Sequence, residues 1–196
     1  MPAVTADIAR LTALGAPILS FDTCTVLDIM RDPTRDTIRD HEQRAALDLV
    51  SAMETGTILV GLVADQVRLE FGIHVDGVAD EAKQALEKLR KRLARMDALA
   101  GVFGGIGRTD LRHLDDYVIR TRAVVDRLMA VTESVAESLV ITSRAFLRLN
   151  QARTPARKGK DSMKDCVVIE SYLDIASSLR AAGLIRASAG PQDMVE

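Results

Sequence analysis

Tryptophan is absent, and aromatic residues of all kinds make up 3% of the 196-residue chain. A platform that stacks the bases of single-stranded nucleic acid needs exposed rings, and this scarcity argues against that mode of binding. Cysteine is nearly as scarce. Cys24 and Cys166 lie far apart, form no metal-binding spacing and cannot build a disulfide framework. Both are expected to be buried, reduced thiols of a cytoplasmic protein. No apolar run reaches the roughly 18 residues of a membrane helix, and Met1 to Asp7 lacks the charged-then-apolar order of a signal peptide. Neither sign of charge is in excess: Lys and Arg number 26, Asp and Glu 28, for a formal net charge of -2. A polyanion therefore has to be held by a local patch and not by a global field.

Hydrophobic residues make up 47% of the chain and charged residues 28%, the balance of one folded domain with a substantial core. The pattern that organises it is Pro17-Ile18-Leu19-Ser20-Phe21-Asp22, an apolar run of strand length ending at an aspartate, with an apolar-periodic segment after it. Ligands of an open parallel sheet sit beyond the carboxyl ends of its strands, so a carboxylate there is aimed into a cleft. The same residue in the same place also serves as a helix cap.

Taken in order, the spacing predicts a helix over 5–15 with Thr5 as cap, then the strand at 18–21. A helical start through Met30 breaks at Asp32-Pro33, and a helix over 36–53 follows. Residues 57–63 form the second strand candidate, almost wholly apolar as a strand covered on both faces should be. Helices are predicted over 64–75 and 78–99. The second carries Ala82, Ala85, Leu86, Leu89, Leu93 and Met96 on one stripe, and charge patterning assigns Glu81, Lys83, Glu87, Lys88, Arg90, Lys91 and Arg92 to a solvated face. The glycine-rich stretch 101–107 follows a helix and has no Lys-Ser/Thr after its last glycine, so it is a turn and not a phosphate loop. Helices over 109–130 and 131–150 complete an all-helical block at about 76–150. A basic loop at 153–160, a helix over 161–180 and a last strand at 183–187 end the pattern.

Three acids stand at element starts or on otherwise apolar segments: Asp22, Glu70 and Asp165. Each has a plainer role available. Asp165 fits the third position of a capping box opened by Ser162, and Glu70 fits an exposed helix glutamate. His74, four residues after Glu70 on the same face, is taken as a surface or supporting residue.

The segment from Phe21-Asp22-Thr23-Cys24 to Asp28 resembles the opening of a PIN domain, whose first strand ends in an Asp-Thr pair before an apolar helix. Gln66 to Phe71 is similar to the segment bearing that family's second acid. Lys158-Gly159-Lys160-Asp161-Ser162-Met163-Lys164-Asp165-Cys166 is similar to the one bearing its third, in the PIN-like branch with a long helical insertion. The motifs occur in family order over about a third of the chain. The resemblance implies one PIN-like α/β domain over 1–196: a parallel sheet flanked by helices, an all-helical insertion at about 76–150, and C-terminal strands cut short. It further implies a metal-dependent endoribonuclease acting on RNA, with Asp22, Glu70 and Asp165 as catalytic ligands of Mg²⁺ or Mn²⁺ and Asp193 as the candidate fourth acid. Hard cations prefer such oxygen donors, and a bound ion activates water beside a scissile phosphate. Arg153, Arg157, Lys158, Lys160 and Lys164 would grip the backbone. Glu170, about 140° round the helix from Asp165, should not share the site.

Position 24, often Asn or Ser in the family, is Cys here. That cysteine also argues against a haloacid-dehalogenase-type phosphatase, which needs a second Asp there. The competing expectation is a PIN-like module without activity that binds RNA or a protein. A homo-oligomer is compatible with the sequence, and a membrane partner is not expected.

Overall fold

The computed structural model describes residues 5–156 and 162–184. Among them the chain is mixed α/β, with a three-stranded parallel sheet in the order β1-β2-β3. The strands are β1 (Ile18–Ser20), β2 (Val60–Ala64) and β3 (Glu133–Val135). The helices are α1 (Ile8–Leu14), α2 (Thr23–Asp28), α3 (Asp40–Glu54), α4 (Asp65–Val102), α5 (Tyr117–Val131), α6 (Leu139–Asn150) and α7 (Met163–Ala181), with a 3₁₀ turn at Arg112–Leu114. No helix among the described residues is long and apolar enough to cross a membrane.

The continuous apolar run of β2 is buried along its whole length, because it is the central strand and both its faces are covered. Alternation splits the core accordingly. Ile18, Val60, Leu62 and Val135 pack on one side with Leu11 of α1 and Ile175 and Leu179 of α7. Val63 packs on the other with Val26, Val50, Met53, Val67, Val125 and Leu128, drawn from α2, α3, α4 and α5, and Ala64, where β2 leaves the sheet, joins the same cluster. Gly61 serves that second side: a Cβ there would collide with the Met53 sulfur and stand 2.7 Å from Thr132 Cγ2.

Several expectations are corrected. The first helix starts at Ile8 and its cap is Asp7, whose carboxylate accepts the Ala9 and Arg10 amides; Thr5 instead forms a parallel bridge with Ser134. Helix α3 begins at Asp40, after a turn in which Asp32 accepts from Thr34. The helices expected at 64–75 and 78–99 are one helix of 38 residues. Gly72 and Gly77, which suggest a break, sit inside it without positive φ. An interior glycine costs about 1 kcal/mol against alanine, and burial of Val67, Val75, Val78 and Ala82 offsets that.

The block 76–150 is not all helical, since β3 lies inside it and pairs with β2 from Leu62–Glu133 to Ala64–Val135. The guanidinium of Arg68, on the first turns of α4, makes this strand possible. It donates to Ser134 Oγ (2.7 Å), the Met129 carbonyl (3.0 Å), and the Thr132 carbonyl (2.7 Å) and hydroxyl (3.1 Å). Burial pulls this guanidinium below its usual pKa, yet its acceptors hold it in place. Residues 185–187, the body of the expected last strand, lie outside the described residues.

Arg68→Met keeps the aliphatic stem and removes the donors, leaving the carbonyls at the entry to β3 unpaired. We expect a loss of about 2 kcal/mol or more in urea unfolding; a change within 0.5 kcal/mol, roughly the scatter of surface substitutions, would contradict this role.

Candidate active site

Asp22 follows β1 and starts α2. Its Oδ1 accepts the Thr23 amide at 2.6 Å, so the capping role is realised. Capping does not exhaust the carboxylate, because two further acids reach its surroundings. Thr23 Oγ1, buried, donates to Glu70 Oε2 at 2.8 Å, which fixes the second turn of α4 against the start of α2. Gln66 Nε2 donates to the other oxygen, Glu70 Oε1, at 3.0 Å. Asp165 lies in the first turn of α7 and is exposed. Burial pushes the Asp22 carboxyl above its ordinary value, and the negative charges of Asp165 and Glu70 push it further, against the Thr23 and Cys24 amides. The charges of two acids distant in sequence, Asp165 and Glu70, are thus felt at Asp22 just beyond the end of β1.

Tyr172 fixes α7 to this place. Its hydroxyl donates a short bond to the Phe21 carbonyl and accepts the Ala64 amide at 3.0 Å, joining the ends of β1 and β2 where they leave the sheet. Burial drives its phenol up to about 12, so it stays a neutral donor throughout the physiological range. Tyr172 is seven residues, about two turns, beyond Asp165, so the two share a helix face. The heptad spacing is visible in the sequence, but it marks a pair only once the strand ends are known.

Other expectations divide. Glu170 turns away to Arg148 at 2.6 Å, both largely buried, as the helical period requires. Arg148 also donates to the Thr154 carbonyl at 2.6 Å, so it braces the base of the basic loop. Arg153 and Lys164 are exposed, whereas Arg157, Lys158, Lys160 and Asp193 lie outside the described residues. His74 is exposed. The Ser162–Asp165 capping box does not form: Ser162 makes no side-chain cap bond and its buried hydroxyl has no hydrogen-bond partner among the described residues. Cys166 is buried, but Cys24 is exposed, because its place on the short helix α2 faces outward, between the buried Thr23 and Val26. Partial burial, then the Asp22 charge, holds its thiol above the ordinary value.

Sequence reasoning passed over Asp65, although it follows β2 as Asp22 follows β1. It accepts the Glu137 amide at 3.4 Å and lies in the field of Arg68, so it belongs to the support of β3.

Among the described residues no three His, Cys, Asp or Glu side chains stand ready to enclose a metal ion. The donor chemistry nevertheless suits a hard divalent cation: all-oxygen, anionic, and half-buried at Asp22. Mg²⁺ keeps several waters and takes one or two protein carboxylates, so a closed cage is not required. No family model, curated protein or solved structure matches the chain.

A carboxyl raised in the folded chain opposes folding once it ionises, because the unfolded chain hydrates the same anion freely. Asp22→Asn keeps an oxygen for the Thr23 amide and should therefore raise the Tm at neutral pH in the absence of divalent ions. The gain should fade as pH falls through the raised carboxyl pKa and vanish below the ordinary value of 3.8. A lowered Tm at neutral pH would contradict this. Tyr172→Phe, which orphans the Phe21 carbonyl and Ala64 amide, should cost about 1–2 kcal/mol in the same unfolding assay.

Proposed function

We propose that this chain is a PIN-like, divalent-metal-dependent endoribonuclease. The observation that carries the reading is that the negative charges of Glu70 and Asp165 both bear on Asp22, which follows the carboxyl end of β1, where ligands of parallel sheets bind. Burial, and then the neighbouring negative charges, make the Asp22 carboxylate costly to ionise. A divalent cation bound beside Asp22 would offset that cost.

Asp22, Glu70 and Asp165 would hold the ion, with Glu70 oriented by Thr23 and Gln66. The bound ion supplies charge neutralisation on a phosphate and a water of lowered pKa. The chain's own part is positional. The Thr23 amide orients Asp22, the Thr23 hydroxyl and Gln66 hold both oxygens of Glu70, and Tyr172 fixes the two strand ends on which Asp22 and α4 depend. Arg153 and Lys164, exposed on either side of the undescribed stretch 157–161, suit contact with the phosphates of a bound strand. A second reading, a PIN-like module that binds RNA or a protein without cutting, is favoured by the absence, among the described residues, of three His, Cys, Asp or Glu side chains placed to hold a metal ion.

Cleavage of single-stranded RNA in Mn²⁺ separates the two. The proposal expects turnover that falls by about two orders of magnitude or more in Asp22→Asn and in Asp165→Asn, equivalent to about 3 kcal/mol of transition-state stabilisation. Cleavage retained by Asp22→Asn would remove that residue from the mechanism. RNA bound but never cut by the unaltered chain would establish the inactive module.

A further inference from the structure

Helix α4 carries Glu70 near its start, then runs far beyond the core. Its buried residues end at Leu86, and the remaining turns, through Val102, are accompanied by the returning segment 105–115. That segment covers one side only. Thr109 binds Asp97 through its amide at 2.7 Å, Asp115 pairs with Arg90 at 2.6 Å, and a groove of about 910 Å³ between them is lined by Arg90, Leu93, Ala94, Asp97 and Ala98 of α4.

The opposite side has a different composition. At 100° per residue, Lys88 stands five turns beyond Glu70 at the same azimuth, and Lys91, Arg92 and Arg95 fall within about 60° of it. Arg90 and Asp97, which hold the returning segment, lie about 160–180° away. Lys88, Lys91, Arg92 and Arg95 are all exposed. Among the described residues none of the four makes an ion pair, whereas Arg90 pairs with Glu87 and Asp115. Residues 83–95 hold six cations (Lys83, Lys88, Arg90, Lys91, Arg92, Arg95) against the single carboxylate Glu87, in a chain whose net charge is -2. The charge is thus segregated onto this arm. A merely solvated helix face would mix its signs, as charge pairing at i, i+4 favours.

We propose that Lys88, Lys91, Arg92 and Arg95 form a phosphate-binding stripe that holds the backbone of an RNA strand about 27–38 Å along the same helix face from Glu70. The choice of RNA rests on the nuclease reading, and the stripe extends it. A substrate is held at two places on one rigid element, at the acids and again five to seven turns away. Recognition of this kind is electrostatic and independent of sequence, which agrees with a chain so poor in rings to stack on bases.

The test is binding of single-stranded RNA to the full chain bearing Asp22→Asn, without divalent ions, followed by fluorescence anisotropy over a range of salt. Changing Lys88, Lys91, Arg92 and Arg95 together to Gln should weaken binding at least about tenfold at 0.1 M salt. It should also reduce the slope of log K against log salt by about 3, at roughly 0.7 for each single-strand phosphate that is no longer neutralised. Lys↔Arg exchange at the four positions should preserve both, with unchanged thermal unfolding in every variant. An unchanged affinity and slope in the Gln variant, or polyglutamate bound more tightly than RNA, overturns the stripe; the second result would assign the arm to an acidic protein. Cleavage is read separately in Mn²⁺, so RNA binding that depends on the stripe without any cleavage would defeat the nuclease reading and leave this one standing.

Discussion

The hydroxyl of Tyr172 is the contact on which the arrangement depends. Two parallel strands diverge beyond their last paired residues, and here one oxygen takes the amide at the end of β2 and gives its proton to the carbonyl at the end of β1. Both backbone groups lie at a place where neither strand can serve the other. The helix that supplies this oxygen also supplies Asp165, two turns earlier on the same face. The requirement to satisfy the strand ends therefore also brings the charge of Asp165 to bear on Asp22. Tyr172 packs against both core clusters, which fixes the helix in both directions.

Arg68 plays the complementary part on the other side of β2. It satisfies four acceptors in the segment that enters β3, and without it the short strand would present open carbonyls to an apolar core. Arg68 and Glu70 are close neighbours on α4, so one helix start both closes the sheet and ties itself to α2 through the Thr23–Glu70 hydrogen bond. Beyond Leu86 the remainder of α4 buries no further residue and holds the returning segment through Arg90 and Asp97.

Much of this was legible in the residue pattern. A strand ending at Asp22, a central strand of unbroken apolar character, an acid on the following helix and another opening the last helix are all visible as spacing. The all-helical reading of 131–150 failed because Val135 and Leu139 stand four residues apart, as they would on a helix face, while the strand has only three residues. Its identity is set by the edge of β2 and by Arg68, both remote in sequence. The break expected near Gly77 failed for a similar reason: glycine lowers local helix propensity, and packing of Val75, Val78 and Ala82 outweighs it. The exposure of Cys24 follows from its azimuth on a helix of only six residues, too short for periodicity to reveal. The acids were found without their supports, since Thr23, Gln66 and Tyr172 acquire their roles only through partners that the fold brings to them.

The central claim is that Asp22, Glu70 and Asp165 act as one anionic pocket for a divalent ion. Isothermal titration of the full chain with Mn²⁺ addresses it most directly. The account predicts one saturable site filled below millimolar Mn²⁺, lost or greatly weakened in Asp165→Asn while the fold is retained. Heat changes that show no binding up to millimolar Mn²⁺, or binding undiminished by Asp165→Asn, would contradict it.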